Sequence, residues 1–322
     1  MKIIITCPVK NEEWILKETL TNFSSFADKI IIADQSSTDQ TLNICKEFEN
    51  VKVIHNHFKG YTNEVRFMLL DEARKEPGEK IIICLDADEQ ISPSAIEEMK
   101  LHIKNKKDTT TVNFYSEWLQ FYGSNTKYRV DGVWRKNYKV FAFLDDPRID
   151  YNRKYITQEH IPRTPNTDYN FLLKTPIIHM QFLAKKRCQI KQALYMCNEL
   201  LEGWDPRRTN NRYSITKYSN NLPLKEIDKK YLQSIHFPTE NNKNLYEERK
   251  LEDIINLFKK KGSLFFESLD IWDIEELSNY FEAENGRKPF KVKKFPYLLI
   301  LVNNMKNKLK YELKRRYNDF KI

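Results

Sequence analysis

The first hundred residues carry two interleaved hydrophobic periods. Continuous apolar runs at Ile3–Cys7, Lys29–Ala33, Val51–Ile54 and Lys80–Leu85 predict strands. Between them, apolar residues recur every three or four positions. Glu12–Phe26 has this spacing through Trp14, Ile15, Leu20 and Phe23, which predicts a helix. Ser37 or Thr38 is placed to cap a second helix to about Phe48, with Asp39 in its first turn. Asn63–Arg74 is a third helix, and Ser92-Pro93 opens a fourth with proline at the first helical position. This β-α-β-α-β-α-β-α order predicts an α/β fold: a mostly parallel, doubly wound sheet flanked by helices.

The pattern changes after residue 105. Thr109–Phe121 and Val133–Phe143 predict longer, antiparallel strands. Residues 145–176 are polar and irregular, with Pro147, Pro162, Pro165 and Pro176. Ile177–Met180 is a short strand, followed by a helix from Ala184 to Leu201. Residues 205–243 read as loop-rich and basic. Helices are expected at Asn244–Lys261, at Ile271–Ala283 and from Pro296 to Tyr317. The chain thus divides into an α/β domain at 1–182, with halves 1–105 and 106–182, and a mainly helical basic region at 183–322.

Composition narrows the function classes. Forty per cent hydrophobic and 31 per cent charged residues in a chain of 322 is ordinary globular composition. The five cysteines are scattered, with no C-x-x-C spacing, so zinc is not expected; they read as buried reduced thiols of a cytosolic protein. No signal peptide is visible, and the longest apolar run, Phe295–Val302, is too short to span a bilayer. Pro8-Val9-Lys10-Asn11 contains no glycine, which disfavours a nucleotidyltransferase with a Gly-rich phosphate loop. Charge is uneven: residues 1–105 hold 13 Lys/Arg against 18 Asp/Glu, so of the net +9 the remainder carries +14. An acidic half suits a metal that holds phosphates, and a basic half suits an anionic partner.

The candidate chemistry gathers at four strand ends: Cys7-Pro8-Val9-Lys10-Asn11-Glu12-Glu13, Ala33-Asp34-Gln35-Ser36-Ser37-Thr38-Asp39, the Phe58–Arg66 segment, and Asp86-Ala87-Asp88-Glu89. Parallel strands place these ends on one rim, where open α/β sheets bind ligands. Two carboxylates one residue apart suit a hard divalent cation that substrate phosphates also ligate.

Together these segments resemble the family 2 glycosyltransferases of the GT-A fold, over about residues 1–180. The chain looks most like the bacterial enzymes of that family that build lipopolysaccharide core and capsule. The resemblance implies a metal-dependent inverting transferase moving a sugar from a nucleotide-diphosphate sugar, with Mn²⁺ or Mg²⁺, to a glycan or lipid-linked saccharide. Residues 1–105 would be its nucleotide half and 106–182 its acceptor half. It implies that Pro8 and Glu12 border the nucleotide, that Asp34 contacts base or ribose, and that Asp86 lies near the ribose and a metal-bound water. Asp88 would bind the metal, and His179 would complete its shell or serve as a core histidine. Glu159, in Gln158-Glu159-His160, would be the catalytic base, with Asp145 and Asp146 as competitors. Two departures stand out. The commoner turn is Asp-Asp-Gly-Ser, against Asp34-Gln35-Ser36-Ser37 here. Arg66 stands where such enzymes often have Asn, and it is expected on a solvated helix face. Arg129, Arg135 and Lys139 are further basic candidates for diphosphate or acceptor.

Leu298, Val302, Met305, Leu309, Leu313, Tyr317 and Phe320 form an apolar stripe on a lysine-rich terminal helix. Such a helix suits an anionic membrane surface, or packs its stripe on the protein and leaves the lysines solvated; the enzyme is expected in the cytoplasm or peripherally on the inner membrane face. The same basic region keeps open a phage-type glycosyltransferase that modifies nucleic acid bases. A non-catalytic nucleotide-sugar-binding module is the third class.

Overall fold

Four parallel strands form one half of the central sheet: β1 (Lys2–Val9), β2 (Lys29–Asp34), β3 (Val51–His55) and β4 (Lys80–Cys84), in spatial order β4-β1-β2-β3. They appear in a computed structural model describing residues 1–58, 64–104, 112–146, 161, 169–214, 222–245 and 248–290. Every residue of β4 is buried, as a strand covered on both faces requires. Helices α1 (Leu16–Ser24), α2 (Thr41–Cys45) and α3 (Glu64–Arg74) alternate with these strands, and α4 (Ser94–Lys104) follows. Val65, Leu69, Leu70 and Ala73 of α3 pack on Ile4, Ile31 and Ile82. Burying each such large aliphatic side chain contributes about 1.5–3 kcal/mol.

The sheet continues with antiparallel strands. After the short β5 (Glu89–Ile91) come β6 (Val112–Tyr122), β7 (Lys127–Arg129) and β8 (Tyr138–Asp145). Strand β8 runs antiparallel to β4, and β6 antiparallel to β8. Both β9 (Tyr169–Leu172) and β10 (Ile177–Phe182) run parallel to β6, while β10 pairs antiparallel with β5. Strand β11 (Leu224–Glu226) extends the sheet beyond β7.

The chain folds as two compact units. The first comprises the described residues of Met1–Val130, Lys136–Ala184 and Pro223–Leu245 and contains the whole sheet. The second comprises those of Asp131–Arg135, Lys185–Leu222 and Tyr246–Ile322. Its core joins Ile190, Met196 and Cys197 of α5 (Lys185–Leu201) to Leu251, Ile254 and Phe258, and to Phe266 and Leu277. Helix α6 (Pro206–Ser214) lies in the segment expected to be loop, and α7 (Glu240–Asn244) belongs to the first unit. Helix α8 is described over Glu248–Lys261, and α9 (Glu275–Asn285) starts four residues after its expected position.

Other differences have local causes. Helix α1 begins at Leu16 rather than Glu12: a turn precedes it, in which the Ile15 and Leu16 amides donate to the Glu12 carbonyl, while the amides of Asn11, Glu12 and Glu13 donate to Ser37 Oγ, Thr41 Oγ1 and Asp39 Oδ2. The expected cap of α2 is consequently absent: Ser37 Oγ serves Asn11, and the Thr38 amide donates to Asn11 Oδ1. Asp39 Oδ1 takes the Thr41 amide in its place. Residues 132–134 form a short 3₁₀ turn, so the strand expected from Val133 starts at Tyr138. Among the described residues, no helix is long and apolar enough to cross a membrane. Residues 296–317, where the terminal helix with its apolar stripe and lysines is expected, lie outside the described residues.

Candidate active site

The parallel strands deliver their C-terminal ends to one rim. Pro8 and Val9 pair with Ala33 and Asp34, and Asp34 pairs in turn with His55. Beside them Thr6 pairs with Cys84, and the Leu85 amide donates to the Thr6 carbonyl. Pro8, Glu12, Asp34, Asp86 and Asp88 all stand on this rim, as expected. Two loops there are stitched together. Asn11 is buried and adopts φ 54°, a region that asparagine tolerates better than most residues, and both its amide and its side chain bond to the 37–38 backbone or side chains. The Ser37 amide donates to both carboxylate oxygens of the buried Asp34 at 3.3 and 3.2 Å. Ser36 also has φ 54°. This is the position at which the resembling turn has glycine, and a Cβ there costs about 1–2 kcal/mol. Glu12 accepts a hydrogen bond from Trp14 Nε1 at 2.8 Å.

The Asp86–Glu89 turn is held from several sides. The Thr19 hydroxyl of α1 donates to the Ala87 carbonyl at 2.6 Å, and the Met180 amide of β10 donates to the Asp88 carbonyl at 2.8 Å. Glu89, 1 per cent exposed, is the hub: it accepts from Trp118 Nε1 at 2.7 Å, from Lys139 Nζ at 3.1 Å and from the Asp86 amide at 3.0 Å. A buried carboxylate survives because it is paired and fully bonded.

His179 of β10 stands against this turn. Its Nε2 lies 3.4 Å from Asp88 Oδ1, and its ring stacks on Trp118 at 4.2 Å between centroids. Gln120 determines the tautomer. Its Nε2 donates to the carbonyls of Phe121 and His179, so its Oε1, 2.6 Å from His179 Nδ1, accepts a hydrogen bond from that nitrogen. In the neutral ring, Nε2 then presents a lone pair to a carboxylate oxygen. Two electron-pair donors facing each other at this separation suit a cation between them, and a second contact fixing Nδ1–H is usual for metal-binding histidine. Among the described residues, no group of three or more His, Cys, Asp or Glu side chains is placed to hold a metal. Asp88 and His179 are suited to offer two ligands to a Mn²⁺ or Mg²⁺ that takes the others from phosphates and water.

Arg66 departs most from its expectation. It is not on a solvated face: its side chain is 10 per cent exposed, and its NH2 lies 2.5 Å from Asp86 Oδ1. Burial works against its charge, but Asp86 together with the nearby Cys84 and Cys7 raises the guanidinium pKa above the usual arginine value. Burial also pushes the neighbouring Cys7 and Cys84 thiols up, so both stay protonated, as expected of structural cysteines.

The other basic candidates and the rival bases are sorted by position. Lys139 Nζ sits 3.6 Å from the Trp118 ring centroid and bonds Glu89, so it is committed to the scaffold. Arg129 is buried over the rings of Tyr122 and Phe182. Asp145 pairs with Lys80 and Arg74, at the opposite end of β4 from Asp86, and is removed as a base candidate. Glu159 lies outside the described residues, as do residues 59–63 of the third strand-end segment. Sequence reasoning missed Trp118 and Gln120. Their alternation on one face of β6 was visible, but the face they present was not.

A family model described as "Glycosyl transferase family 2" matches residues 4–170, just over half of the chain. A search of curated proteins finds no match. Among solved structures, S. aureus TarS in complex with UDP-GlcNAc is 22 per cent identical, covering 39 per cent of this chain and 36 per cent of that one, with a TM-score of 0.31. Glucosyl-3-phosphoglycerate synthase from Mycobacterium tuberculosis, in complex with Mn²⁺, UDP and glucosyl-3-phosphoglycerate, is 17 per cent identical, covering 36 and 44 per cent, with a TM-score of 0.29. The chain thus matches less than half the length of either structure. The C-terminal ends of the parallel strands and the turn sequences that follow them fall within the matched segment, and the chain belongs to glycosyl transferase family 2.

Proposed function

We propose that the protein is a metal-dependent inverting glycosyltransferase that moves a sugar from a nucleotide-diphosphate sugar to a glycan or lipid-linked saccharide in cell-surface polysaccharide synthesis. The observation that carries this reading is the Asp88–His179 pair at the rim, facing each other at 3.4 Å. Asp34, the Pro8–Glu12 loop and Asp86 stand on the same rim and offer groups suited to base and ribose. When bound, Mn²⁺ or Mg²⁺ would offset charge on the departing diphosphate. Asp88 and His179 would hold it. Glu159 takes the proton of the acceptor hydroxyl as that oxygen attacks the anomeric carbon. The bond from that carbon to the diphosphate oxygen breaks, its electron pair leaves with the nucleoside diphosphate, and the configuration inverts.

The test is turnover of a panel of nucleotide-diphosphate sugars, each with Mn²⁺ and with EDTA. At least one donor should be consumed with metal and spared without it. In the same assay, Glu159→Gln should lower turnover by about 10²-fold or more while donor binding is retained, the range expected for loss of a general base. Equal turnover with EDTA would defeat the metal assignment. Wild-type turnover by Glu159→Gln would move the base elsewhere.

A lipid-linked acceptor gives the lysine-rich C-terminal stretch a role on the anionic inner face of a membrane. Intact protein should co-sediment with anionic vesicles at low salt, and deletion of residues 296–322 should release it. Failure of the intact protein to co-sediment would end this part of the proposal.

A further inference from the structure

Arg66 is an unusual occupant for its position. A guanidinium that is nine-tenths buried is costly to desolvate, and an apolar side chain would fill the same space more cheaply. Only part of its donor capacity is used: NH2 bonds Asp86, while NH1 is buried with no hydrogen-bond partner. Buried polar atoms in that state call for an explanation. Packing does not supply one, since the thiols flanking the guanidinium are neutral. Asp86 does. Its side chain is a third exposed and stands on the rim two residues before Asp88. Left without a cation, Asp86 would be a second solvated carboxylate beside the Asp88–His179 pair, and an ion entering there would be drawn to both.

We infer that Arg66 is a positioning residue that serves as a permanent internal counter-cation for Asp86. It withholds that carboxylate from the divalent ion, so that metal affinity is low in the free protein and high only once a nucleoside diphosphate contributes its own charge. This rests on the metal reading of the Asp88–His179 pair. Neutralising a carboxylate beside a divalent site removes an attraction worth about tenfold in cation binding even with substantial screening, and more at interior dielectric.

The experiment is titration of the metal-free full chain with Mn²⁺ alone, followed by electron paramagnetic resonance of the free ion. Arg66→Met should bind Mn²⁺ at least about tenfold more tightly than wild type. Arg66→Lys, which restores the charge, should return to wild-type affinity, and so should Arg66→Met/Asp86→Asn. A gain of affinity is a result that damage to the fold would not produce. Should Arg66→Met fail to fold, Arg66→Asn carries the same expectation. If both uncharged variants bind Mn²⁺ no better than wild type, while Asp88→Ala loses metal in the presence of UDP, GDP or CDP, the Arg66 inference is overturned and the metal site stands. If wild type binds no Mn²⁺ with or without any of these diphosphates, the metal site itself is wrong and this inference falls with it.

Discussion

Asp88→Ala is expected to abolish metal-dependent nucleotide binding and to lower sugar transfer by about 10³-fold or more, while the protein stays folded. The catalytic loss follows from removing the carboxylate that faces His179 Nε2 at 3.4 Å, since Lewis-acid stabilisation of a leaving group is worth several kcal/mol and each 1.36 kcal/mol is about tenfold in rate. The fold should survive because the turn is held by backbone: the Asp88 carbonyl accepts the Met180 amide, and the Ala87 carbonyl accepts the Thr19 hydroxyl. Alanine keeps both contacts. Calorimetric titration of nucleoside diphosphate with Mn²⁺ and with EDTA checks the binding, and urea unfolding checks the fold. Undiminished Mn²⁺-dependent affinity in the variant would take Asp88 out of the metal site.

Asp86→Ala should behave differently although it lies two residues away. Its main effect is expected on stability, a loss of about 3 kcal/mol, because the substitution strands the Arg66 guanidinium without its counter-charge. The low end of the range for broken buried pairs applies, since Asp86 is itself a third exposed. The double variant Arg66→Met/Asp86→Ala should recover most of that loss, as replacing both partners of a buried pair is close to neutral. Urea midpoints of the two proteins decide the matter. If Asp86→Ala unfolds within about 0.5 kcal/mol of wild type, the pair does not contribute in this way. The contrast has a practical consequence: lost activity in Asp86→Ala mixes folding with chemistry, whereas lost activity in Asp88→Ala does not.

Much of the fold was legible in the residues. The apolar runs at Ile3–Cys7, Lys29–Ala33 and Lys80–Leu85 are buried strands, because a strand covered on both faces reads as a continuous apolar run rather than an alternation. Their parallel pairing, and the rim their ends share, follow from the helices between them. The periodicity of Glu12–Phe26 is real, but its first residues form a turn tied to the 37–41 segment, and α1 proper starts at Leu16. Helix α6 was missed because Pro206–Ser214 buries only Thr209, which leaves almost no hydrophobic period to read.

For the site, the sequence by itself determined which carboxylates end the strands: Asp34, Asp86 and Asp88 are local neighbours of apolar runs, and their placement is a consequence of chain direction. Contacts between segments distant in the chain were decided only by tertiary structure. His179 meets Asp88 across ninety residues because β10 pairs with β5, and Gln120 sets its tautomer because β10 also pairs with β6. Trp118 and Lys139 converge on Glu89 from β6 and β8. Asp145, a plausible base by sequence, was placed at the far end of β4 by antiparallel pairing with Lys80. Arg66 looked like a solvated helical arginine because helical period reports which face a residue occupies and is silent on what that face meets. The physical reason is common to all of these. Local pattern encodes burial and direction along one element, whereas charge pairing and ligand geometry depend on strand register, which arises only when the sheet assembles.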